Sequence, residues 1–273
     1  MADRPVRIGF LGAGQMATAL AKGWLKAGLI DAGQGVAWTP NPATAAKFAK
    51  ATGLKSATSS EAVLEATDVI IPAVKPQILP GVLYDIRSRL EERHLILSIA
   101  VGVTLTQLMH HLSSETRIVR VMPNTPTMVG AGAAGYAGGP AATAADLALT
   151  QKLFAGVGLA YQVPESQLDG LSGLSGSGPA FVYVMIEALA DAGVRVGLPR
   201  ETALKLAAQT VMGSAKMVLE TGEHPAALKD AVASPGGSTI VGLHALERGA
   251  VRGTLMNAVE AAANRAAELG RKS

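Results

Sequence analysis

Two short glycine-containing stretches have residue types and spacing that suit them to binding anions. GFLGAGQMA (9–17) contains a G-x-G-x-x-A pattern, and ASPGGST (233–239) precedes an apolar helical run late in the 273-residue chain. Glycines let the backbone turn tightly, and the first N–H groups of the helix that follows are unpaired and carry the positive end of the helix dipole. Phosphates and carboxylates bind at such helix N-termini.

The first stretch lies between an apolar strand pattern and a helical one. After the glycines, apolar residues recur at four-residue spacing, which predicts a helix. In this arrangement Gly12 permits the tight turn, Gly14 lets the backbone approach a pyrophosphate, and Ala17 keeps helix and strand close together. The stretch therefore predicts dinucleotide binding.

The second stretch leaves two interpretations open. It could be a well-made helix cap, in which Ser238 or Thr239 supplies the capping oxygen after a turn shaped by Pro235 and the glycines. It could also bind an anion at the same helix entrance. These residues alone favour the cap, and the rest of the chain must decide between the two.

Strand and helix patterns alternate through the first half of the chain. After the N-terminal unit, strand patterns cover 35–39, 68–74, 95–101, 117–123 and 131–138, and helical patterns cover 42–52, 76–91 and 104–112. Such alternation predicts an α/β fold with a mostly parallel, doubly wound sheet. Ligands of these sheets bind at the carboxyl ends of the strands.

The end of the second strand bears on the choice of cofactor. A site that prefers NAD usually has an acidic residue there, which binds the ribose 2′-hydroxyl. WTPNP (38–42) has no acid, and Thr39 and Asn41 could donate hydrogen bonds to a 2′-phosphate. The sequence therefore favours NADPH, and NADH held through backbone groups is the alternative.

The last hundred residues have a different pattern. SGLSGSGPA (172–180) leads into helical segments at 179–195, 200–221, 238–248 and 252–269. The apolar residues of 200–221 lie on nearly every side of the helix, which is typical of a buried helix. A small helical domain cannot bury several such helices alone, so the sequence predicts a homo-oligomer that buries them between subunits.

The composition excludes several other classes of function. The chain has no cysteine, and its five histidines lack metal-ligand spacing, so we expect no disulfide, thiol nucleophile or metal site. Aromatic residues are 4% and the net charge of +3 is spread along the chain, which argues against nucleic-acid binding. We expect no membrane span or signal peptide, and hence a cytoplasmic protein.

Six motifs in a fixed order carry a resemblance to a known family. They are GFLGAGQMATAL (9–20), AVKPQ (73–77), RVMPNTP (120–126), GLSGSGPAFVY (173–183), GLPR (197–200) and LKDAVASPGGSTIVGLHALE (228–247). Together the motifs resemble pyrroline-5-carboxylate reductases. The resemblance implies NAD(P)H-dependent reduction of 1-pyrroline-5-carboxylate to L-proline. It also implies a Rossmann-type domain over 1–165 and a helical substrate-binding domain over 166–273, which dimerises and in many members forms rings of dimers.

The resemblance also implies the residues of the site. The turn would hold the substrate carboxylate, and Thr239 is the catalytic candidate because its hydroxyl could contact the ring nitrogen. Glu165 is either an acceptor near that nitrogen or a surface linker acid, and solvent could supply the proton. The expected substrate contacts are Glu165, Ser234, Gly236, Gly237, Ser238 and Thr239. Besides Thr39 and Asn41, the expected cofactor contacts are Leu11, Gly12, Ala13, Gly14, Gln15, Met16, Ala73, Val74, Lys75 and Pro76, with Ser60, Ile99, Ala100 and Val101 at positions where further contacts would lie.

Two alternatives remain open from the sequence. A related NADPH-dependent imine or β-hydroxyacid reductase would use a catalytic lysine on a long helix, for which Lys205, Lys216 and Lys229 are available. That chemistry gives the S-P-G-G-S-T turn no role. A non-catalytic dinucleotide sensor would likewise need no carboxylate-binding turn.

Overall fold

The computed structural model describes residues 6–272, with side chains described as far as residue 270. The chain divides into two compact units. The first extends to Ser177 and includes the segment from Glu260 onward, and the second is Gly178–Val259.

Eight strands of the first unit form one sheet. They are β1 (Ile8–Leu11), β2 (Gly35–Trp38), β3 (Lys55–Ser56), β4 (Val69–Pro72), β5 (Leu95–Ser98), β6 (Arg117–Met122), β7 (Gly132–Gly138) and β8 (Gly158–Gln162). Their order is β3-β2-β1-β4-β5-β6-β7-β8, and only β6 and β7 pair antiparallel. The predicted α/β fold with a mostly parallel sheet is confirmed.

Helices follow most of the strands. In the first unit they are α1 (Gln15–Lys26), α2 (Pro42–Thr52), α3 (Ser60–Ala66), α4 (Leu79–Ile86), α5 (Leu105–His111), α6 (Ala144–Ala155) and α7 (Leu168–Leu171). The second unit contains α8 (Gly178–Arg195), α9 (Arg200–Thr221), α10 (Pro225–Ala231) and α11 (Ser238–Arg248). The last helix, α12 (Val251–Lys272), begins in the second unit and ends in the first.

Several elements differ from the sequence prediction. The strand patterns 68–74 and 95–101 were too long, since β4 ends at Pro72 and β5 at Ser98. The helical pattern 76–91 is α4 followed by a 3-10 turn over Arg87–Arg89. After both strands apolar residues continue into the loop, and a side-chain pattern alone does not show where the backbone conformation changes.

The sheet has an apolar core on each of its faces. On one face Trp24 of α1 lies between Phe10 and Phe154, with ring centroids 6.0 and 5.8 Å apart respectively. The indole N–H of Trp24 donates to the carbonyl of Leu153 at 2.7 Å. The other face packs α3, α4, α5 and α7. These two layers hold the carboxyl ends of β1, β2, β4 and β5 in register at one edge of the sheet.

The short helix α7 explains why the first unit extends beyond the predicted boundary at residues 165 and 166. Leu168 is buried in the apolar core of the sheet, and Leu171 packs against that core. A Cβ built on Gly135 of β7 would collide with the side chain of Leu171, so the helix lies directly on the sheet. A π-helical turn over Ser172–Gly176 then leads to α8.

The second unit is helical and exposes many large apolar side chains. Its helices α8 and α9 pack against one another, and their backbones approach closely at small residues such as Gly193 and Ala203. The exposed apolar side chains include Tyr183, Val184, Leu189, Leu204, Leu206, Met212, Met217 and Leu219. Within the part of the chain that the structure describes, no helix is both long and apolar enough to cross a membrane.

Candidate functional site

The glycine-rich loop after β1 lies against the loop after β4. Gly12 has φ +103°, a conformation that favours glycine, and its N–H donates to the carbonyl of Trp38 at 2.8 Å. A Cβ on Gly12 would lie 2.6 Å from the carbonyl oxygen of Ala73. The backbone of Ala73 in turn donates to the carbonyl of Leu11 at 2.7 Å. The predicted contacts 11–13 and 73 are therefore brought together.

The N-terminus of α1 offers uncapped backbone donors beside this loop. Gly14 is the N-cap residue, and no side chain caps the helix. A Cβ on Gly14 would meet no atom within 4 Å, so the space in front of the helix is open. Gln15 is exposed, whereas Ala17 is buried against the sheet. This arrangement fits a pyrophosphate, which would accept from the helix N–H groups and face the positive end of the dipole.

The residues after β2 are placed where a dinucleotide ribose would lie in a doubly wound sheet. Asn41 is exposed and caps α2, with its Oδ1 accepting from the N–H groups of Ala43 and Thr44 at 3.0 and 3.2 Å. Its Oδ1 is thus engaged by the helix, and its side-chain NH₂ is the group able to donate outward. Thr39 is half-buried just before it.

The remaining predicted cofactor contacts lie on loops at the same sheet edge. Val74, Lys75 and Pro76 follow β4, and the carbonyl of Lys75 accepts from Ile78 and Leu79 as α4 begins. Ile99, Ala100 and Val101 follow β5, with Ala100 buried and Val101 exposed. Ser60 is a buried residue at the start of α3, which begins at this edge because it follows the parallel strand β3. The loops, fingerprint and uncapped helix together fit a bound dinucleotide.

Glu165 is paired with a buried arginine. Its Oε1 accepts from the guanidinium of Arg120 at 3.1 Å and from the N–H of Leu105 at 2.6 Å. Arg120 has a side chain only 6% exposed, and it also donates to Asp169 at 2.8 Å. A buried cation is stable only when it is paired, and two carboxylates satisfy this one. The role of Glu165 toward the substrate stays a prediction.

Two buried polar residues near this edge, Arg120 and Asn124, lie within the motif RVMPNTP (120–126). Besides Arg120, Asn124 accepts from the N–H of Ala133 at 2.9 Å and donates to the carbonyl of Ser175 at 3.0 Å. Asn124 thus joins the loop after β6 to the π-helical turn. In the sequence the two residues stand out as an arginine between two valines in the strand RIVRVM and as an asparagine between two prolines in P-N-T-P.

In the second unit, the residues of ASPGGST form the turn before α11. Gly236 has φ +66°, and the N–H of Gly237 donates to the carbonyl of Ser234 at 3.1 Å. Gly237 is the N-cap residue, and α11 starts at Ser238. A Cβ on Gly237 would collide with the hydroxyl of Ser234. The turn thus brings Ser234, Ser238 and Thr239 to one helix N-terminus.

The interpretation of this stretch as a side-chain cap is wrong. No side chain accepts from the first N–H groups of α11, because Ser238 and Thr239 lie inside the helix rather than at its N-cap position. The N-cap residue is the usual source of a side-chain acceptor for those groups, and Gly237 at that position has no side chain. The N-terminus of α11 therefore has backbone donors that no side chain caps, and Ser238 and Thr239 are its first two residues. No cluster of three metal-binding side chains exists among the described residues.

Comparisons with known proteins give matches along the whole chain. The family model "Pyrroline-5-carboxylate reductase dimerisation" matches residues 165–269, and "NADP oxidoreductase coenzyme F420-dependent" matches residues 7–102. A pyrroline-5-carboxylate reductase of Methanosarcina acetivorans is 46% identical over 97% of this chain and 98% of its own. One of Pisum sativum is 45% identical over 96% and 95%.

The chain belongs to the pyrroline-5-carboxylate reductase family. Solved structures of the family have the same fold. A Plasmodium falciparum pyrroline carboxylate reductase with NADP bound superposes with a TM-score of 0.88 at 38% identity, covering 97% of this chain and 98% of that one. The enzyme of Coxiella burnetii gives 0.90 at 34% identity over 97% and 99%. The family model over residues 165–269 places the family's dimerisation region on the helical part of the chain.

Proposed function

We propose that this protein reduces 1-pyrroline-5-carboxylate to L-proline with NADPH, and with NADH as a second donor. The observation that carries the proposal is the N-terminus of α11, which follows a glycine turn, begins with Ser238 and Thr239, and has no side-chain cap. A small carboxylate matches those donors in charge and size. Membership of the reductase family and the dinucleotide fit of the first unit support the same function.

The reaction needs orientation more than it needs reactive side chains. When bound, the dihydronicotinamide supplies a hydride to the imine carbon, and the ring nitrogen takes a proton from solvent. The protonated C=N bond already accepts hydride, so no nucleophile or metal is required. The turn over 234–239 would hold the ring by its carboxylate, and hydride transfer requires an imine carbon within the usual near-attack distance of about 3–3.5 Å of the hydride donor.

Thr239 is the proposed catalytic residue. It is the second residue of α11, and its hydroxyl could contact the ring nitrogen while the backbone donors of the turn bind the carboxylate. Ser234, Gly236, Gly237 and Ser238 complete the proposed carboxylate site. Glu165 is proposed as an acceptor near the nitrogen. Its carboxylate would also keep its ion pair with Arg120.

Initial rates of NADPH oxidation at 340 nm test this function. We expect turnover with pyrroline-5-carboxylate, and none with 2-ketoacids or buffer alone. Turnover of hydroxyacids, in the oxidative direction with NADP⁺, would instead favour the related reductase that uses a lysine. Dinucleotide binding with no turnover of any of these compounds would favour a sensor.

The proposed assembly is a homodimer formed through the helical unit, and a ring of dimers is the larger form. Val184 is 66% exposed and Leu219 68% exposed in the single chain, and an oligomer would bury such side chains. The dimerisation family model over 165–269 covers these helices. Light scattering at micromolar concentration tests the proposal, since a monomer mass would contradict it and a mass above two chains would indicate the ring.

A further inference from the structure

The last turn of α12 packs on the loop that follows β5. Gly102 of this loop has φ +78°, and a Cβ on it would lie 3.0 Å from the carbonyl oxygen of Ala266 and 3.0 Å from the backbone nitrogen of Gly270. A Cβ on Gly270 would collide with the carbonyl oxygen of Gly102. The backbones of the loop and of α12 can approach this closely because neither Gly102 nor Gly270 has a side chain. All these residues belong to the first unit.

A side-chain amide fixes the same contact. Nε2 of Gln107 donates to the carbonyl oxygen of Gly270 at 2.6 Å, which satisfies one of the last carbonyls of α12. Oε1 of the same side chain accepts from the N–H of Thr104 at 2.8 Å and from its hydroxyl at 3.0 Å, completing the capping box of α5. One amide thus ties the end of α12 to the end of the loop.

The loop held in this way contains three of the predicted cofactor contacts. Ile99, Ala100 and Val101 lie between the end of β5 and Gly102, a stretch with no regular structure of its own. The loop is anchored at its far end by the capping box and by the N–H of Leu105, which donates to Glu165. On its α12 side, the support comes from the Gly102–Gly270 contact and from Gln107.

We propose that Gly270 and Gln107 are positioning residues for the dinucleotide, acting through the loop over residues 99–102. The C-terminal turn of α12 holds the loop backbone in the conformation that receives the cofactor. This inference rests on the proposed function only in that the loop must bind NAD(P)H. Gly270, which is 163 positions from Gln107 in sequence, would then set cofactor affinity without contacting the cofactor.

Two variants separate positioning from general stability. Gln107→Glu keeps the acceptor oxygens of the capping box but loses the donor to Gly270, so α5 should keep its N-terminus. Gly270→Ala introduces the colliding Cβ while leaving Gln107 unchanged. The matched control is Gly81→Ala on α4, an exposed helical glycine at which a Cβ meets no atom within 4 Å.

The measurement is the dissociation constant of NADPH by fluorescence titration of the full-length protein, together with its Tm. For Gln107→Glu we expect a dissociation constant about three- to tenfold higher, the range that one lost hydrogen bond allows. For Gly270→Ala we expect about tenfold or more. The KM for NADPH should rise in parallel while the KM for pyrroline-5-carboxylate stays the same, and Gly81→Ala should bind as the wild type does.

The outcomes distinguish this inference from the proposed function. Unchanged NADPH affinity in both folded variants, with or without a lower Tm, would overturn the positioning role and leave the reductase proposal intact. Wild-type protein that binds no NADPH would overturn the reductase proposal itself. A higher dissociation constant in both variants, at a temperature well below each Tm, supports the inference.

Discussion

Gly12 and the carbonyl of Ala73 lie so close that no side chain fits between them, since a Cβ on Gly12 would be 2.6 Å from that oxygen. The loop after β1 and the loop after β4 are thereby fixed against each other at the edge of the sheet. Two residues further along, Gly14 faces open space. The two glycines of the fingerprint therefore have different physical reasons for being glycine, and substitutions should separate them.

Gly14→Val should weaken cofactor binding without unfolding the protein. The new side chain enters the open space in front of α1, where the pyrophosphate is expected, so the KM for NADPH should rise at least about tenfold. Gly12→Ala should instead lower the Tm, because φ +103° and the Ala73 contact both oppose a side chain. Thermal melts and NADPH titrations of both variants check this. Wild-type affinity in a folded Gly14→Val protein would remove this helix N-terminus from the site.

Asn41→Asp should shift cofactor preference toward NADH. Aspartate caps helices as well as asparagine does, so α2 should be retained, while the new charge repels a 2′-phosphate and can accept from a 2′-hydroxyl. We expect the ratio of kcat/KM for NADPH over NADH to fall about tenfold, which corresponds to about 1.4 kcal/mol. The control is Asn41→Ser, which keeps the cap without the charge. Equal ratios in all three proteins would show that residue 41 does not face the ribose.

Replacement of Thr239 should affect the chemistry rather than the cofactor. Thr239→Val removes the hydroxyl at similar volume and keeps the backbone donors of α11, so kcat/KM for pyrroline-5-carboxylate should fall about ten- to a hundredfold. Thr239→Ser restores the hydroxyl and should recover most of that loss. The dissociation constant of NADPH should be unchanged in both. Equal kcat/KM in the two variants would mean that the hydroxyl has no catalytic role.

The buried environment of His94 leads us to expect that the folded protein loses stability in mild acid. Burial lowers its pKa, and the ring is held neutral with Nδ1 accepting from the N–H of Glu91 and Nε2 at 3.0 Å from the carbonyl of Leu64. The unfolded chain binds the proton first, near pH 6.5, so the stabilisation is complete above that pH and is lost as the pH falls through the folded pKa. NMR titration of the His94 ring should give a pKa below 6.5, and the Tm should fall over the same range. A pKa at or above 6.5 would contradict this.

The sequence predicted the parts of the fold that leave a periodic apolar pattern. The strands around Phe10, Ile70 and Ile96 and the long helices α8 and α9 were found in this way. The strand β3 was missed because it is two exposed residues long, and β8 because only Ala160 of its five residues is buried. Short edge strands owe their conformation to pairing with a neighbour, which a local pattern does not record.

The candidate site was predictable where backbone geometry requires glycine, and not where side chains meet across the fold. Gly12, Gly14 and Gly237 follow from turn and helix-entrance chemistry within a few residues. The Arg120–Glu165 ion pair joins positions 45 apart in sequence, and Gln107 meets Gly270 across 163. Such partners are brought together by the fold as a whole, so neither residue type nor local spacing could reveal them.

The most direct test of the proposed reaction is the fate of an isotopic label. The protein is incubated with NADPH carrying two deuterium atoms at C4 of the nicotinamide and with pyrroline-5-carboxylate in ordinary water, and the product is analysed by mass spectrometry and NMR. Hydride transfer to the imine carbon predicts L-proline with one deuterium, located at C5, and one NADPH consumed for each proline formed. Unlabelled proline, a label at another carbon, or no proline at all would contradict the reduction proposed here.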